Sequence, residues 1–148
     1  MAIYIGWTGT RAGLTKDQIY QLGNMICDFA LHLDSDYYGA WGLHGDCIGG
    51  DADFDAVCKS HDIETRCRPC LIENQRAFVA TPLAEPERPL DRNKKIVDDS
   101  SVMIAGPKSS FEERRGGTWS TIRYARKQGK RLFIIYPDGF VRHEEGSQ

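Results

Sequence analysis

At 148 residues, 41% of them hydrophobic, the chain can bury one full core and is too short for two comfortable ones. Its 19 basic and 21 acidic side chains leave a net charge of −2, which argues against a nucleic-acid or membrane-surface partner for the chain as a whole. The start, MAIYIGWTG, has neither a basic n-region nor a long apolar run, and no later segment reaches bilayer length, so a soluble cytoplasmic protein is expected.

Taken in order, Ala2 to Gly6 is a short apolar run of β-formers, read as a buried first strand. It feeds the glycine-rich stretch Trp7-Thr8-Gly9-Thr10-Arg11-Ala12-Gly13. Thr15 and Gln18 have capping-box spacing, and Ile19, Leu22, Ile26, Phe29 and Leu33 recur at helical intervals, which predicts a helix over 15–32. After a turn at Asp34-Ser35-Asp36, the aromatic stretch Tyr37 to His44 reads as a second strand. It runs into Gly45-Asp46-Cys47-Ile48-Gly49-Gly50-Asp51, a second glycine-rich strand-to-helix connection. Asp51 is a natural N-cap for the helix carrying Phe54, Val57, Cys58 and His61. Residues 63–67 supply a third, shorter strand.

Pro82, Pro86 and Pro89 interrupt the pattern between 69 and 89, predicting a long functional or mobile loop, and a short helix follows over 90–99. Ser101 to Gly106 is a fourth buried strand. It leads to Arg114-Arg115-Gly116-Gly117-Thr118-Trp119-Ser120, where two glycines and hydroxyls open a helix that turns Trp119, Ile122 and Ala125 inward. In that helix Arg123, Arg126 and Lys127 point outward and suit its C-terminal end. Leu132 to Tyr136 is the fifth strand, closed by Pro137-Asp138-Gly139, and 141–148 is expected to be a flexible tail behind one domain over 1–140.

Strands alternating with helices predict a single three-layer, doubly wound α/β domain with five mainly parallel strands in the order 3-2-1-4-5. In such a sheet the strands' C-terminal ends share one edge, and the order reverses between strands one and four. Three glycine-rich loops fall on that edge. The expected ligand set is Gly6, Thr8, Gly9, Thr10 and Arg11 from the first, and His44, Gly45, Asp46, Gly49, Gly50 and Asp51 from the second. Arg114, Gly116, Gly117, Thr118, Trp119 and Ser120 come from the third. The Gly117, Thr118 and Trp119 amides at a helix start would seat a phosphate, with the Thr118 and Ser120 hydroxyls beside them and Arg11 or Arg114 as the cation. Asp46 and Asp51 are each either local turn or cap residues or acceptors for ribose hydroxyls or a base.

Cys67-Arg68-Pro69-Cys70 has zinc-knuckle spacing, but no second pair follows, so reduced thiols are expected and no metal or cofactor. The acids gathered in 34–64 and the bases in 108–131 read as surface solvation. Exposed aromatics such as Tyr37 and Trp41 make a homo-oligomer a reasonable expectation.

The order of motifs, with Gly9-Thr10-Arg11 after strand one, His44 to Asp51 after strand two, Asp91-Arg92-Asn93-Lys94-Lys95 before strand four and Gly116-Gly117-Thr118-Trp119 opening a helix, resembles the SLOG superfamily of Rossmann-like domains. Its relatives include the lysine-decarboxylase-like Lonely-guy phosphoribohydrolases and the Rossmann part of DNA-processing protein A. The similarity runs from about Ile3 to Asp138. It implies binding of a nucleotide or nucleotide derivative, with Arg92 and Asn93 as further contributors. The Lonely-guy pattern P-G-G-x-G-T-x-x-E, laid on this chain, puts Arg115 at the proline, Trp119 at the third glycine and Arg123 at the glutamate. An arginine cannot serve as the base or nucleophile of N-glycosidic cleavage. Asp46, Asp51, Glu112 or Glu113 could substitute only if the fold brings one close. The leading expectation is therefore a binding domain that senses or sequesters a nucleotide-derived ligand, with N-glycosidic hydrolysis of a nucleoside monophosphate or related compound as the alternative.

Overall fold

A computed structural model describes residues 3–32 and 39–147. The expected positions Ala2 and Leu33, the turn 34–36 and the aromatic pair Tyr37 and Tyr38 lie outside the described residues. The elements run β1 (Ile3–Gly9), α1 (Lys16–His32), β2 (Ala40–His44), α2 (Gly50–Ser60), β3 (Thr65–Cys67), a 3-10 turn (Glu73–Gln75) and β4 (Thr81–Pro82). Then come α3 (Pro89–Asp99), β5 (Val102–Gly106), α4 (Gly117–Lys127), β6 (Arg131–Ile135) and β7 (Val141–Glu144).

The sheet order is β4-β3-β2-β1-β5-β6-β7, parallel throughout except for β7, which pairs antiparallel with β6. The five expected strands are present in the expected order, as β3-β2-β1-β5-β6. The expected count is corrected from five to seven by two short edge strands. One lies in the proline-rich connection and one in the expected tail.

Strand alternation sorts the core into two layers. Ile5 and Trp7 on β1 and Val102 and Ile104 on β5 pack with Leu22 and Ile26 of α1 and with Phe54 and Cys58 of α2. On the opposite face Met103 and Ala105 pack with Ile96 and Val97 of α3 and with Trp119, Ile122 and Ala125 of α4. Helix pairs thus cover both faces, and the chain changes face between β3 and β5. That change makes the gap between the ends of β1 and β5 the switch point.

Helix α1 begins with the capping box: the Gln18 amide N–H donates to Thr15 Oγ1 at 3.1 Å, and the Thr15 N–H to Gln18 Oε1 at 2.9 Å. Gln18 Nε2 also donates to the carbonyls of Pro107 and Ile135, fixing the helix start against the ends of β5 and β6. At the far edge, Arg126 grips the Glu144 carboxylate with two hydrogen bonds of 2.9 and 2.8 Å, and His143 stacks on Phe133. Those contacts hold β7 in place although its sequence is mostly polar. Trp41, read as an exposed aromatic, is half-buried with the Arg66 guanidinium over its ring at 4.2 Å. No helix among the described residues is long and apolar enough to cross a membrane.

Candidate functional site

A cavity of about 430 Å³ opens at the switch point. Thr8, Gly9, Thr10 and Arg11 line it from the end of β1, and Gly45, Cys47 and Asp51 from the end of β2. The start of α3 contributes Pro89, Arg92, Asn93 and Ile96, while the segment from β5 into α4 contributes Lys108, Glu113 and Gly116 to Trp119.

The α4 end has the form of an anion seat. Gly116 is the N-cap at φ 114 and makes no side-chain cap hydrogen bond, and the first amide to bond back along the helix is that of Ser120, to the Gly116 carbonyl. The Gly117, Thr118 and Trp119 amides precede that bond, and all three residues border the cavity. Lys108 is exposed at the same end, and Asn93 Nδ2 lies 3.7 Å from where a Cβ on Gly117 would be. Glu113 also borders this end, with its Oε1 accepting from the Ser109 hydroxyl at 3.0 Å.

The β2 end is built differently. Arg92 is buried, and its Nη1 donates to the Gly45 carbonyl at 2.6 Å and to the Arg68 carbonyl at 3.2 Å, with Nη2 on Cys47 Sγ at 3.5 Å. Asp51 is buried beside it, and its Oδ2 accepts from the Cys47 amide at 3.1 Å. Burial pushes the Asp51 carboxyl up from the ordinary carboxylate range, against the pull of His44, Arg92 and the Cys47 and Gly45 amides. Burial, reinforced by Asp51, likewise raises the Cys47 thiol, while Arg92 opposes both. Gly45 is required here, because a Cβ would run into the Arg92 guanidinium and come within 3.0 Å of Asp51 Oδ2.

Seven expected ligand residues lie off the cavity wall. Gly6 is a packing glycine, since a Cβ there would collide with Ser100 and Met103. His44 is fully buried, with Nε2 on Asp55 Oδ1 at 2.8 Å and Nδ1 accepting from the Asp46 amide. Asp46 points its carboxylate at Arg76 and at the Phe78 and Val79 amides. Gly49 and Gly50 let the second loop press on the first: the Gly50 amide donates to the Thr10 carbonyl at 2.8 Å, so protein already fills the start of α2. Gly49, and not Asp51, is the N-cap of that helix. Arg114 is exposed and Ser120 half-buried, neither on the cavity.

Of the carboxylates weighed as substitutes for the Lonely-guy glutamate, Asp51 and Glu113 reach the cavity. Glu112 is paired instead with Arg123 and Arg126. Arg123 also holds the Glu113 and Arg114 carbonyls, stapling the loop ahead of α4. The expected ligand set lacks Trp7, Cys47, Ile72, Gln75 and Lys108, and Glu113 enters the sequence reading only as a substitute carboxylate. Trp7 and Cys47 stand inside the glycine-rich stretches themselves, but a large aromatic and a lone thiol carry no anion-binding signal of their own. No grouping of three or more His, Cys, Asp or Glu side chains suited to a metal occurs among the described residues. Cys67 and Cys70 are buried free thiols, and burial pushes that of Cys67 up to about 12.

Among solved structures, the molybdenum cofactor binding protein from the phototrophic bacterium Rippkaea orientalis superposes with a TM-score of 0.68 at 19% identity, over 92% of this chain and 77% of that one. TM1055, a structural-genomics target solved by X-ray crystallography, superposes with a TM-score of 0.61 at 13% identity, over 88% of this chain and 72% of its own. This chain has a Rossmann-like α/β fold. At these identities the likeness carries the fold alone. No protein-family model matches the chain, and no curated protein matches it in sequence. Ligands of open Rossmann-like sheets bind outside the carboxyl ends of the strands at the switch point, and the cavity lies there.

Proposed function

We propose that this chain is a SLOG-type domain that binds a nucleotide or nucleotide-derived small molecule, to sense or sequester it. The observation that carries the reading is the start of α4, where the Gly117, Thr118 and Trp119 amides border the cavity and no side chain caps the helix among the described residues. Lys108 and Arg11 add positive charge at the mouth, and Asn93 adds a neutral donor beside Gly117. The molybdenum cofactor binding protein of like fold, by its name, also holds a small molecule. A cytoplasmic setting fits the free thiols. A homo-oligomer fits the exposure of large apolar side chains such as Leu71 and Phe78, which light scattering would test.

Titration calorimetry with nucleoside monophosphates tests the reading. Micromolar or tighter binding that weakens tenfold or more in Lys108→Ala is expected. Affinity unchanged in that variant would remove Lys108 from the account, and binding of no monophosphate would remove the anion seat.

One observation favours a second reading, hydrolysis of an N-glycosidic bond: two carboxyl groups, Asp51 and Glu113, border the same cavity from different loops. Burial biases Asp51 toward the protonated form, which suits a proton donor to a leaving base. Free base released from a nucleoside monophosphate, followed by chromatography and abolished in Asp51→Asn, would establish catalysis over simple binding.

A further inference from the structure

The two ends of the cavity offer different chemistry. The α4 end presents backbone donors and Lys108, suited to one anion. The β2 end presents a buried carboxylate and a buried guanidinium side by side, facing the same Gly45 backbone. These two do not form a direct ion pair among the described residues, although each lies close to the site a Gly45 Cβ would occupy. Each keeps capacity to spare. Asp51 Oδ2 accepts from the Cys47 amide and the Gly45 amide also bears on the carboxylate, while its two oxygens can take about four donors. Arg92 Nη2 carries two N–H groups and spends one, on the Cys47 sulfur.

A buried acceptor beside a buried donor is a poor seat for a second phosphate, which Asp51 would repel. It is a good seat for a ring edge with donors next to an acceptor. Building on the nucleotide reading above, we propose that the Asp51–Arg92 pair recognises the 2-amino-4-oxopyrimidine edge common to guanine nucleotides and pterins. Asp51 takes the exocyclic amine and the ring N–H, and Arg92 donates to the adjacent ring carbonyl. Adenine presents an unprotonated ring nitrogen where this edge has N–H, so its lone pair would face the carboxylate. Hypoxanthine keeps the N–H and carbonyl but lacks the amine.

The dimensions agree. Asp51 and Gly45 follow β2, the anion seat follows β5, and β1 lies between them, so along the sheet edge the strands that lead to the two ends are two spacings apart, about 10 Å. One nucleoside monophosphate, or one pterin with an anionic side chain, spans that distance. A cavity of about 430 Å³ suits a ligand of that size. Trp7 and Trp119 border the space from opposite faces of the sheet, and their buried indole N–H groups have no partner among the described residues.

The test is calorimetry of the full chain with GMP, IMP, AMP and 6-carboxypterin, alongside Asp51→Asn. GMP, the pterin or both are expected to bind at least tenfold more tightly than IMP and AMP, the ratio a hydrogen bond to a charged group supports. Tight binding of one and not the other identifies the source of the edge. Asp51→Asn is expected to bring GMP and IMP within a few-fold of each other. Equal affinity for GMP and AMP in the wild-type chain, with the pterin binding no more tightly than they do, overturns the ring-edge assignment and leaves the nucleotide reading standing. Binding of none of the four overturns both. The wild-type panel decides the matter even if the variant misfolds, and a folded Asp51→Asn that still prefers GMP to IMP overturns the role of Asp51.

Discussion

The Asp46 carboxylate receives two hydrogen bonds from the Arg76 guanidinium, from Nη2 at 2.9 Å and Nε at 3.2 Å. The same carboxylate takes the Phe78 and Val79 amides, and the Asp46 carbonyl takes that of Ala77. A residue expected to touch ligand is thus the anchor that fastens the long connection after β3 over the end of β2. Its own backbone sits at φ 59, a left-handed conformation that aspartate adopts more readily than most residues.

Truncating Asp46 leaves a mostly buried arginine without its counter-charge and two amides without an acceptor. Asp46→Ala is expected to lose about 3–5 kcal/mol in urea unfolding, the usual result of removing one partner of a buried pair. Asp46→Asn keeps one acceptor oxygen and should lose less. Amide exchange at 76–79 should rise in both variants. Protection unchanged there would refute the anchoring role.

Asp55 supports β2 from beneath. Burial pushes its carboxyl up, but hydrogen bonds from His44, Lys59 and Thr65 together outweigh burial and hold it at about 2. Because the folded value lies below the unfolded one, about 3.9, the stabilisation is full above that value and disappears as pH falls toward 2. At about 1.4 kcal/mol per pH unit, the contribution is about 2–3 kcal/mol. Asp55→Asn should therefore be less stable by about that amount at pH 7, with the gap closing between pH 4 and 2. A gap that stays constant with pH would refute the linkage.

Asp51 has the opposite sign. Its carboxyl is raised above the unfolded value, so the folded chain binds the proton more readily and this group's contribution to stability falls as pH rises from about 4 toward the folded value. Asp51→Asn cannot ionise and escapes that cost. It should melt higher than the wild-type chain at pH 7 to 8 and alike below pH 4. A variant that melts lower at pH 8 would show that the carboxylate stabilises the fold, in conflict with a group held for ligand.

The comparison of Asp46 with Asp51 shows where sequence reading stops. Both follow β2 within a glycine-rich stretch, and residue type cannot separate anchor from cavity wall. The difference arises because residues 76–79, some thirty positions later, return to Asp46. The central strands were legible because runs such as Val102 to Ala105 are buried on both faces and need apolar residues throughout. Edge strands have no such requirement. Val141-Arg142-His143-Glu144 is held by one neighbour, an arginine fork and a ring stack, none of which leaves a hydrophobic period. The glycine-opened start of α4 was legible because two glycines at a helix start are a local feature. Lys108 was not, and Glu113 could be named only as one of several carboxylates, because their place beside that helix start is set by the loop that Arg123 staples.

The backbone at Gly116 is the local device on which the seat depends. Its φ of 114 is open to glycine, and a Cβ there would lie 3.6 Å from Glu113 Oε2, so an added methyl meets strain and no clash. Gly116→Ala should cost about 1–3 kcal/mol of stability, as residues forced into such conformations do. Relaxing that strain turns the Gly117, Thr118 and Trp119 amides out of alignment, so binding of inorganic phosphate should weaken together with the fold. Lys108→Ala removes an exposed charge and should weaken phosphate while leaving the melting temperature unchanged. Thermal shift against phosphate concentration separates the two variants. If Gly116→Ala lost stability and kept the phosphate response, the amides of α4 would not be the seat, and Lys108 with Arg11 would have to hold the anion by charge alone.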